Sequence, residues 1–105
     1  MKPLLVMTNV PDTAMAERIA RALVDARAAA CVNILAQCRS VYRWQGAIET
    51  SNEVPVLIKT TTEAYPRVEQ ILRECHSFDV PEIIAVPIDN GLPAYLDWVA
   101  TETGI

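Results

Sequence analysis

Apolar residues in the first third of the chain change from a continuous run to a helical spacing. Residues 4–7 are all apolar, which is typical of a strand buried on both faces. Asp12 and Thr13 then offer side-chain oxygens that can cap the first turn of a helix. The apolar residues that follow repeat every three or four positions: Ala16, Ile19, Ala20, Leu23 and Val24. The pattern therefore predicts a strand and then an amphipathic helix that ends near residues 27–29.

The middle of the chain has the pattern of a β-hairpin. Residues 31–35 and 40–44 are short apolar segments rich in β-branched or aromatic side chains, which favours strands. The Gln45-Gly46 pair follows as a predicted turn. Its type stays open, because Gln suits a positive φ less well than Asn or Asp.

The return strand of this hairpin is predicted over residues 47–49 and 53–62. Pro55 lies inside it and has no N–H group to donate, so we expect it at a sheet edge or a bulge. A second helix is predicted to begin near Glu63. One face of that helix carries residues at helical spacing: Tyr65, Val68, Ile71, Leu72 and Cys75.

The end of the chain predicts one more strand over residues 80–88 and a helix over residues 92–103. The inner side of that helix is predicted to hold Tyr95, Trp98 and Val99. The complete order β-α-β-β-α-β-α specifies one α+β domain over residues 1–105, with a ferredoxin-like antiparallel sheet and an added C-terminal helix. The hairpin over residues 41–62 is too long for so small a sheet, so we expect it to project and contact another chain.

The amino-acid composition and net charge limit the classes of molecule that the chain is expected to bind. The chain is 51% apolar, 21% charged and carries a net charge of −4, with its nine Lys and Arg scattered. Nucleic acids and anionic membrane surfaces require a positive patch, so neither is expected to bind. The high apolar fraction favours self-association. The three cysteines are odd in number and lack C-x-x-C spacing, which favours reduced thiols in the cytoplasm.

The residue types needed for common catalytic sites are missing from the sequence. A single histidine excludes a metal site built mainly from histidines of one chain. The three glycines are isolated, which removes phosphate-binding and dinucleotide-binding loops. The chain is therefore predicted not to be an enzyme, and no cofactor is expected to be obligatory.

Cys75 and His76 form one candidate site. A thiolate beside an imidazole at the end of a helix suits a soft or borderline ion such as copper or zinc. The alternative is structural. Cys75 would extend the apolar face of the second helix, and His76 would cap the C-terminus of that helix.

The strand-like segments hold a second candidate site. Tyr42 and Trp44 stand two residues apart and so share one face of a strand, and a two-residue turn would place Glu49 opposite Tyr42. Lys59 and Glu82 are further charges inside predicted strands, where an isolated charge is costly. These residues either pack against a neighbouring subunit or line a cleft between subunits that binds a small molecule.

Several segments are similar to the signature blocks of the CutA divalent-cation-tolerance proteins. They are residues 29–34, 40–49, 57–60, 80–84 and 95–98, and the most specific is the Tyr-x-Trp-x-Gly-x-Ile-Glu block that begins at Tyr42. The resemblance implies a cytosolic homotrimer, held by the long hairpin and arranged like the PII signalling proteins. It also implies a link to divalent-metal tolerance, with copper or another divalent cation as the ligand.

The resemblance also bears on the metal ligands. Copper-binding members of this family look like Cys on the first strand plus a His-His pair; here Thr8 occupies the strand position and Cys75-His76 the pair. Cys75 and His76 are therefore the predicted ligands, and Thr8 is a poor one. Three functions follow as expectations: a metal-responsive trimer, a PII-like module that binds a small molecule between subunits, or a stable scaffold for another protein.

Overall fold

In a computed structural model, which describes residues 2–104, every predicted helix and strand segment is present. The strands number five and not the four of the predicted order, because Cys31–Ile34 and Cys38–Trp44 form two separate strands. The bounds of the strands and helices are β1 Pro3–Val10, α1 Thr13–Asp25, β2 Cys31–Ile34, β3 Cys38–Trp44, β4 Ala47–Thr61, α2 Tyr65–Cys75, β5 Ile84–Pro87 and α3 Pro93–Thr103. The strands form an antiparallel sheet in the order β2-β4-β1-β5, and β3 pairs with the far half of β4. The α+β, ferredoxin-like prediction is confirmed.

The core lies between one face of the sheet and the helices α1 and α2. Alternate side chains of β1 and β4 point to this face because the side-chain period of a strand is two. The sheet contributes Val6, Thr8, Val10, Val54, Val56, Ile58 and Thr60, all buried. The helices contribute Ala16, Ile19, Leu23, Val68 and Leu72 at helical spacing. None of α1 to α3, within the described residues, is long and apolar enough to cross a membrane.

Helix α1 has well-formed caps at both ends. The Asp12 carboxylate accepts a hydrogen bond from the Met15 N–H at 2.8 Å. At the other end Arg27 adopts a φ of 55°, and the N–H of Ala28 donates to the carbonyl oxygen of Leu23 at 2.9 Å. This geometry is a Schellman motif, in which the left-handed position is usually glycine. Backbone conformation alone does not favour an arginine at this position, but its side-chain contacts do.

Arg27 and Arg67 join the three helices. The Arg27 guanidinium donates to the carbonyl oxygens of Thr101 and Gly104, both at 2.7 Å. Arg67 donates to the carbonyl oxygens of Arg27 and Thr103 at 3.1 and 3.2 Å. These carbonyls lie at the C-terminal ends of α1 and α3, where cationic donors satisfy free acceptors and oppose the negative end of the helix dipole.

The β3–β4 hairpin extends beyond the rest of the sheet. Gln45 and Gly46 have φ angles of 49° and 84°, so the turn has the two positive φ values of type I′. Tyr42 pairs with Glu49, as a two-residue turn predicts. The chain measures 44 × 26 × 23 Å, and its radius of gyration of 14.2 Å exceeds the roughly 13 Å of a compact domain of this length.

A bulge separates β2 from β3 along β4. Ile34 pairs with Val56 and Cys38 pairs with Glu53, so the three residues 35–37 stand opposite the two residues 54–55. The Leu35 N–H donates to the Pro55 carbonyl oxygen at 3.0 Å, and Pro55 has no N–H to return the bond. Pro55 therefore lies at a bulge, as expected from the sequence.

Two sequence-based predictions differ from the structure near the C-terminus. The last strand begins at Ile84 instead of at residue 80, because Pro81 cannot donate to a ladder and residues 80–83 form part of a loop. In α3, Val99 is buried, but Tyr95 and Trp98 are exposed within the single chain. Their predicted inward orientation was wrong for the isolated chain.

Candidate functional site

A groove of about 700 Å³ opens between the β3–β4 hairpin and the loop that follows α2. The hairpin side is formed by Ser40, Val41, Tyr42, Trp44, Glu49 and Glu53. The loop side is formed by Ser77, Phe78, Asp79, Val80 and Glu82. Its volume lies within the range of small-molecule sites.

The groove brings together four of the five residues predicted for a cleft. Tyr42, Trp44 and Glu49 come from the hairpin and Glu82 from the loop. Glu82 is held by a hydrogen bond that its Oε1 atom accepts from the Asn9 side-chain amide at 3.1 Å. The fifth residue, Lys59, lies outside this groove and is described next.

Lys59 occupies the other end of the sheet. It lies six residues along β4 from Glu53, which is about 20 Å at strand spacing. Its ammonium group donates to the side-chain oxygen of Asn33 on β2. Within one chain Lys59 therefore contributes nothing to the groove, and its place in a cleft between subunits stays a prediction.

Sequence reasoning missed the remaining groove residues. Glu53 had a usable signal, because it stands four residues from Glu49 on a strand and so shares its face. Phe78, Asp79 and Val80 had none, since they lie in an irregular loop whose position depends on tertiary contacts. The alternation of side chains along β4 therefore predicts groove residues on the strand side and none on the loop side.

The groove is acidic, and its charges differ in environment. Four carboxyl groups line it, from Glu49, Glu53, Asp79 and Glu82, and none of the described Lys, Arg or His side chains does. Glu53 is only 9% exposed. Among residues 2–104 no hydrogen-bond donor or cation contacts its carboxyl group, whereas Glu82 has the Asn9 amide. Glu53 is therefore the most buried of the four acidic residues of the groove, and no donor of the described residues pairs with it.

His76 fixes the loop side of the groove to the sheet. Its backbone N–H donates to the Leu72 carbonyl oxygen at 2.8 Å and closes α2. Its Nε2 atom lies 2.6 Å from the carbonyl oxygen of Asn9, and its Nδ1 atom accepts from the Phe78 N–H at 3.2 Å. A carbonyl oxygen only accepts, so these contacts assign the tautomer that carries its proton on Nε2.

The structure contradicts one of the two sequence-based interpretations of Cys75. Its side chain is exposed and does not extend the buried stripe of Val68 and Leu72. The apolar-stripe alternative for Cys75 was therefore wrong, whereas the capping role of His76 is confirmed.

The donor set of Cys75 and His76 fits a soft metal ion incompletely. His76 donates from Nε2 to a backbone carbonyl, and contacts of this kind orient metal-binding histidines. Nδ1 is therefore the ring atom that is left to bind a metal. The lone pair of Nδ1 now accepts from Phe78, so binding there would release this hydrogen bond. No three His, Cys, Asp or Glu side chains among the described residues are placed to share one ion.

Thr8 adds nothing to this donor set. Its hydroxyl oxygen is buried on the core face of β1, and no hydrogen-bond partner lies within reach in the described part of the chain. It is a poor metal ligand, as the residue type predicts.

The sequence and the fold match one family across nearly the whole chain. The family profile described as CutA1 divalent ion tolerance protein covers residues 4–102. The divalent-cation tolerance protein CutA of Thermus thermophilus is 45% identical over 100 residues, which span 95% of this chain and 97% of the relative.

Solved structures give the same result. The Thermus thermophilus protein superposes with a TM-score of 0.95 at 44% identity, over 97% of this chain and 99% of the other. CutA from Xylella fastidiosa gives a TM-score of 0.95 at 42% identity, over 99% and 100%. CutA from Archaeoglobus fulgidus, described as a periplasmic divalent cation tolerance protein, gives 0.93 at 34% identity, over 97% and 99%. The chain described here therefore belongs to the CutA1 divalent ion tolerance family.

Proposed function

We propose that this chain is a non-catalytic homotrimer that contributes to divalent-cation tolerance by binding copper or another thiophilic ion through Cys75 and His76. The observation that carries the proposal is the fixed tautomer of His76 beside an exposed thiol. An imidazole whose Nε2–H is held by a carbonyl presents Nδ1 in the form that a metal requires. The names of the relatives support divalent-cation tolerance as the role.

Association with further copies of the chain would favour this metal site in two ways. Two ligands cannot complete the coordination sphere of copper or zinc, and the remaining positions are available to water or to a neighbouring subunit. The hairpin also presents apolar side chains that its own chain does not cover, with Val41 67% and Ile48 68% exposed. Burial of these side chains by two neighbours would stabilise a trimer.

The cytoplasm is the compartment that we propose. Cys31, Cys38 and Cys75 are all free, and a metal-binding thiolate at Cys75 requires a compartment that keeps thiols reduced.

Native mass spectrometry with and without added cuprous ion tests the metal proposal. We expect a mass of three chains that takes up a fixed number of copper ions per trimer. The double variant Cys75→Ala, His76→Ala is expected to lose this uptake, while Cys38→Ala, which removes a thiol at the base of the hairpin, retains it. Equal copper uptake by the double variant and the wild type contradicts the assignment of these two ligands.

The groove supports a second candidate, a PII-like regulatory module that binds a small molecule. Its volume of about 700 Å³ and its combination of aromatic walls with convergent charges are typical of ligand sites. Thermal denaturation in the presence of small metabolites of both charges tests this function, because a ligand of the folded state raises the midpoint temperature. A midpoint that no compound changes would exclude it.

A further inference from the structure

We infer that the groove between the hairpin and the 77–82 loop binds an organic cation, a protonated amine or guanidinium on a small apolar body. This inference rests on the small-molecule function proposed above and adds the charge and chemical class of the ligand. It depends on three properties of the groove: an unpaired buried carboxylate, aromatic walls and the absence of basic side chains.

Glu53 is the first of these properties. It is about nine-tenths buried, it lines the groove, and no donor or cation among residues 2–104 contacts its carboxyl group. A carboxylate in this mostly buried position has no protein partner among the described residues, so a bound N–H group pairs with it directly.

The aromatic side chains are the second property. Tyr42, Trp44 and Phe78 line the same groove as Glu53, and each is about 40% exposed. The face of an aromatic ring attracts a cation, and ring surfaces also bury the apolar body of an amine. Carboxylates beside aromatic rings therefore match a ligand with a positive end and an apolar remainder.

The same observations argue against other ligand classes. Nucleotides and organic anions would meet four carboxyl groups and no basic side chain in the groove. A bare divalent metal ion requires several ligand atoms converging on one point, and no three His, Cys, Asp or Glu side chains in the described range converge in this way. Metal ions are also indifferent to the aromatic walls.

One competing occupant comes from the protein itself. The face of the hairpin that points away from the groove carries Arg39 and Arg43, so a second copy could offer a guanidinium to the same carboxylates. The experiment therefore includes a variant that removes one of these arginines.

Isothermal titration calorimetry of the assembled protein with agmatine and with phenethylamine tests the inference, with ATP, citrate and Mn²⁺ titrated in parallel. We expect both amines to bind and the anions and Mn²⁺ not to compete with them. Glu53→Gln is expected to weaken amine binding by roughly ten- to hundredfold, the effect of removing one charged hydrogen bond. Glu17→Gln, which removes an equal charge on exposed α1, is expected to leave binding unchanged.

Tyr42→Leu is a second variant that leaves the charge intact, and we expect it to weaken binding of both amines severalfold. Unchanged amine affinity in Glu53→Gln overturns the inference. So does amine binding that occurs in Arg43→Ala but not in the wild type, because a neighbouring hairpin then fills the groove. Binding of ATP or citrate without binding of amines overturns the cation class and leaves the small-molecule function standing, whereas no binding of any compound contradicts both.

Discussion

Thr8 and Thr60 bury their hydroxyl groups on the same face of the sheet, but their surroundings differ. The Thr60 hydroxyl donates to the carbonyl oxygen of Ala28 at 2.6 Å. The Thr8 hydroxyl has no partner among the described residues. Folding therefore removes water from both groups and replaces it with a protein acceptor at one of them only.

Replacement of each threonine by valine is expected to have opposite effects on the free energy of unfolding. Thr8→Val keeps the shape of the side chain and removes a dehydrated hydroxyl, so it should stabilise the protein by about 1 kcal/mol. Thr60→Val leaves the Ala28 carbonyl without its donor and should destabilise by about 1–3 kcal/mol. Chemical denaturation of both variants measures the difference, and a destabilised Thr8→Val would indicate that the hydroxyl has an acceptor.

The sequence predicts the type of residue at the candidate sites better than it predicts their partners. The position of His76 after an apolar helix indicates a capping residue, and it caps α2 as predicted. Its ring partner Asn9 is 67 residues away, and no local pattern connects the two. The exposed position of Cys75 was also missed, because helical spacing alone does not tell the edge of a buried stripe from its centre.

At the scale of elements, the end of α1 shows how side-chain hydrogen bonds can offset an unfavourable backbone conformation. Arg27 occupies the left-handed position where glycine is usual, yet its guanidinium donates two hydrogen bonds to the end of α3. The strained backbone lowers the free energy of unfolding and the side-chain hydrogen bonds raise it, so substitutions can separate the two contributions.

Two variants of Arg27 separate these contributions. Arg27→Ala keeps the strained φ and loses both hydrogen bonds, whereas Arg27→Gly loses the same bonds and relieves the strain. We expect both to lower the free energy of unfolding, with alanine worse than glycine by about 1 kcal/mol. Equal stabilities in thermal and chemical denaturation would show that the φ of 55° carries no strain.

The elements were predicted best where the pattern is periodic. The type of each strand and helix, the two-residue turn and the Tyr42–Glu49 pair follow from spacing and turn chemistry. The 77–83 loop does not follow from them, because its path is set by contacts of His76 and Asn9. Much of the hairpin side of the groove was therefore predictable, whereas only Glu82 of the loop side was predicted.

At the scale of the whole molecule, one chain leaves an unusual amount of apolar surface uncovered. Val41, Ile48, Val80 and Leu92 are each about 70% exposed, and Trp98 lies on an exposed side of α3. A monomer rarely exposes so many large apolar side chains. This is the physical basis for the trimer that we propose.

Ile48→Asp is expected to disrupt assembly, because it places a charge on the hairpin face opposite Tyr42 and Trp44, and association would bury that face. Size-exclusion chromatography with light scattering should show a loss of the trimer or of solubility. Gln70→Asp on exposed α2 serves as a control with the same introduced charge and should remain trimeric. A normal trimer from Ile48→Asp would contradict the proposed role of the hairpin.

The bulge opposite Pro55 has a consequence for how the length of this chain can vary in evolution. The pairing of β2 with β4 ends before the bulge, and that of β3 begins after it, so neither depends on the number of residues 35–37. A one-residue gap there would leave Tyr42 facing Glu49. A gap between Cys38 and Glu53 would instead shift one strand against the other and turn its side chains to the opposite face. Lineages that preserve the groove should therefore confine their insertions and deletions to the bulge.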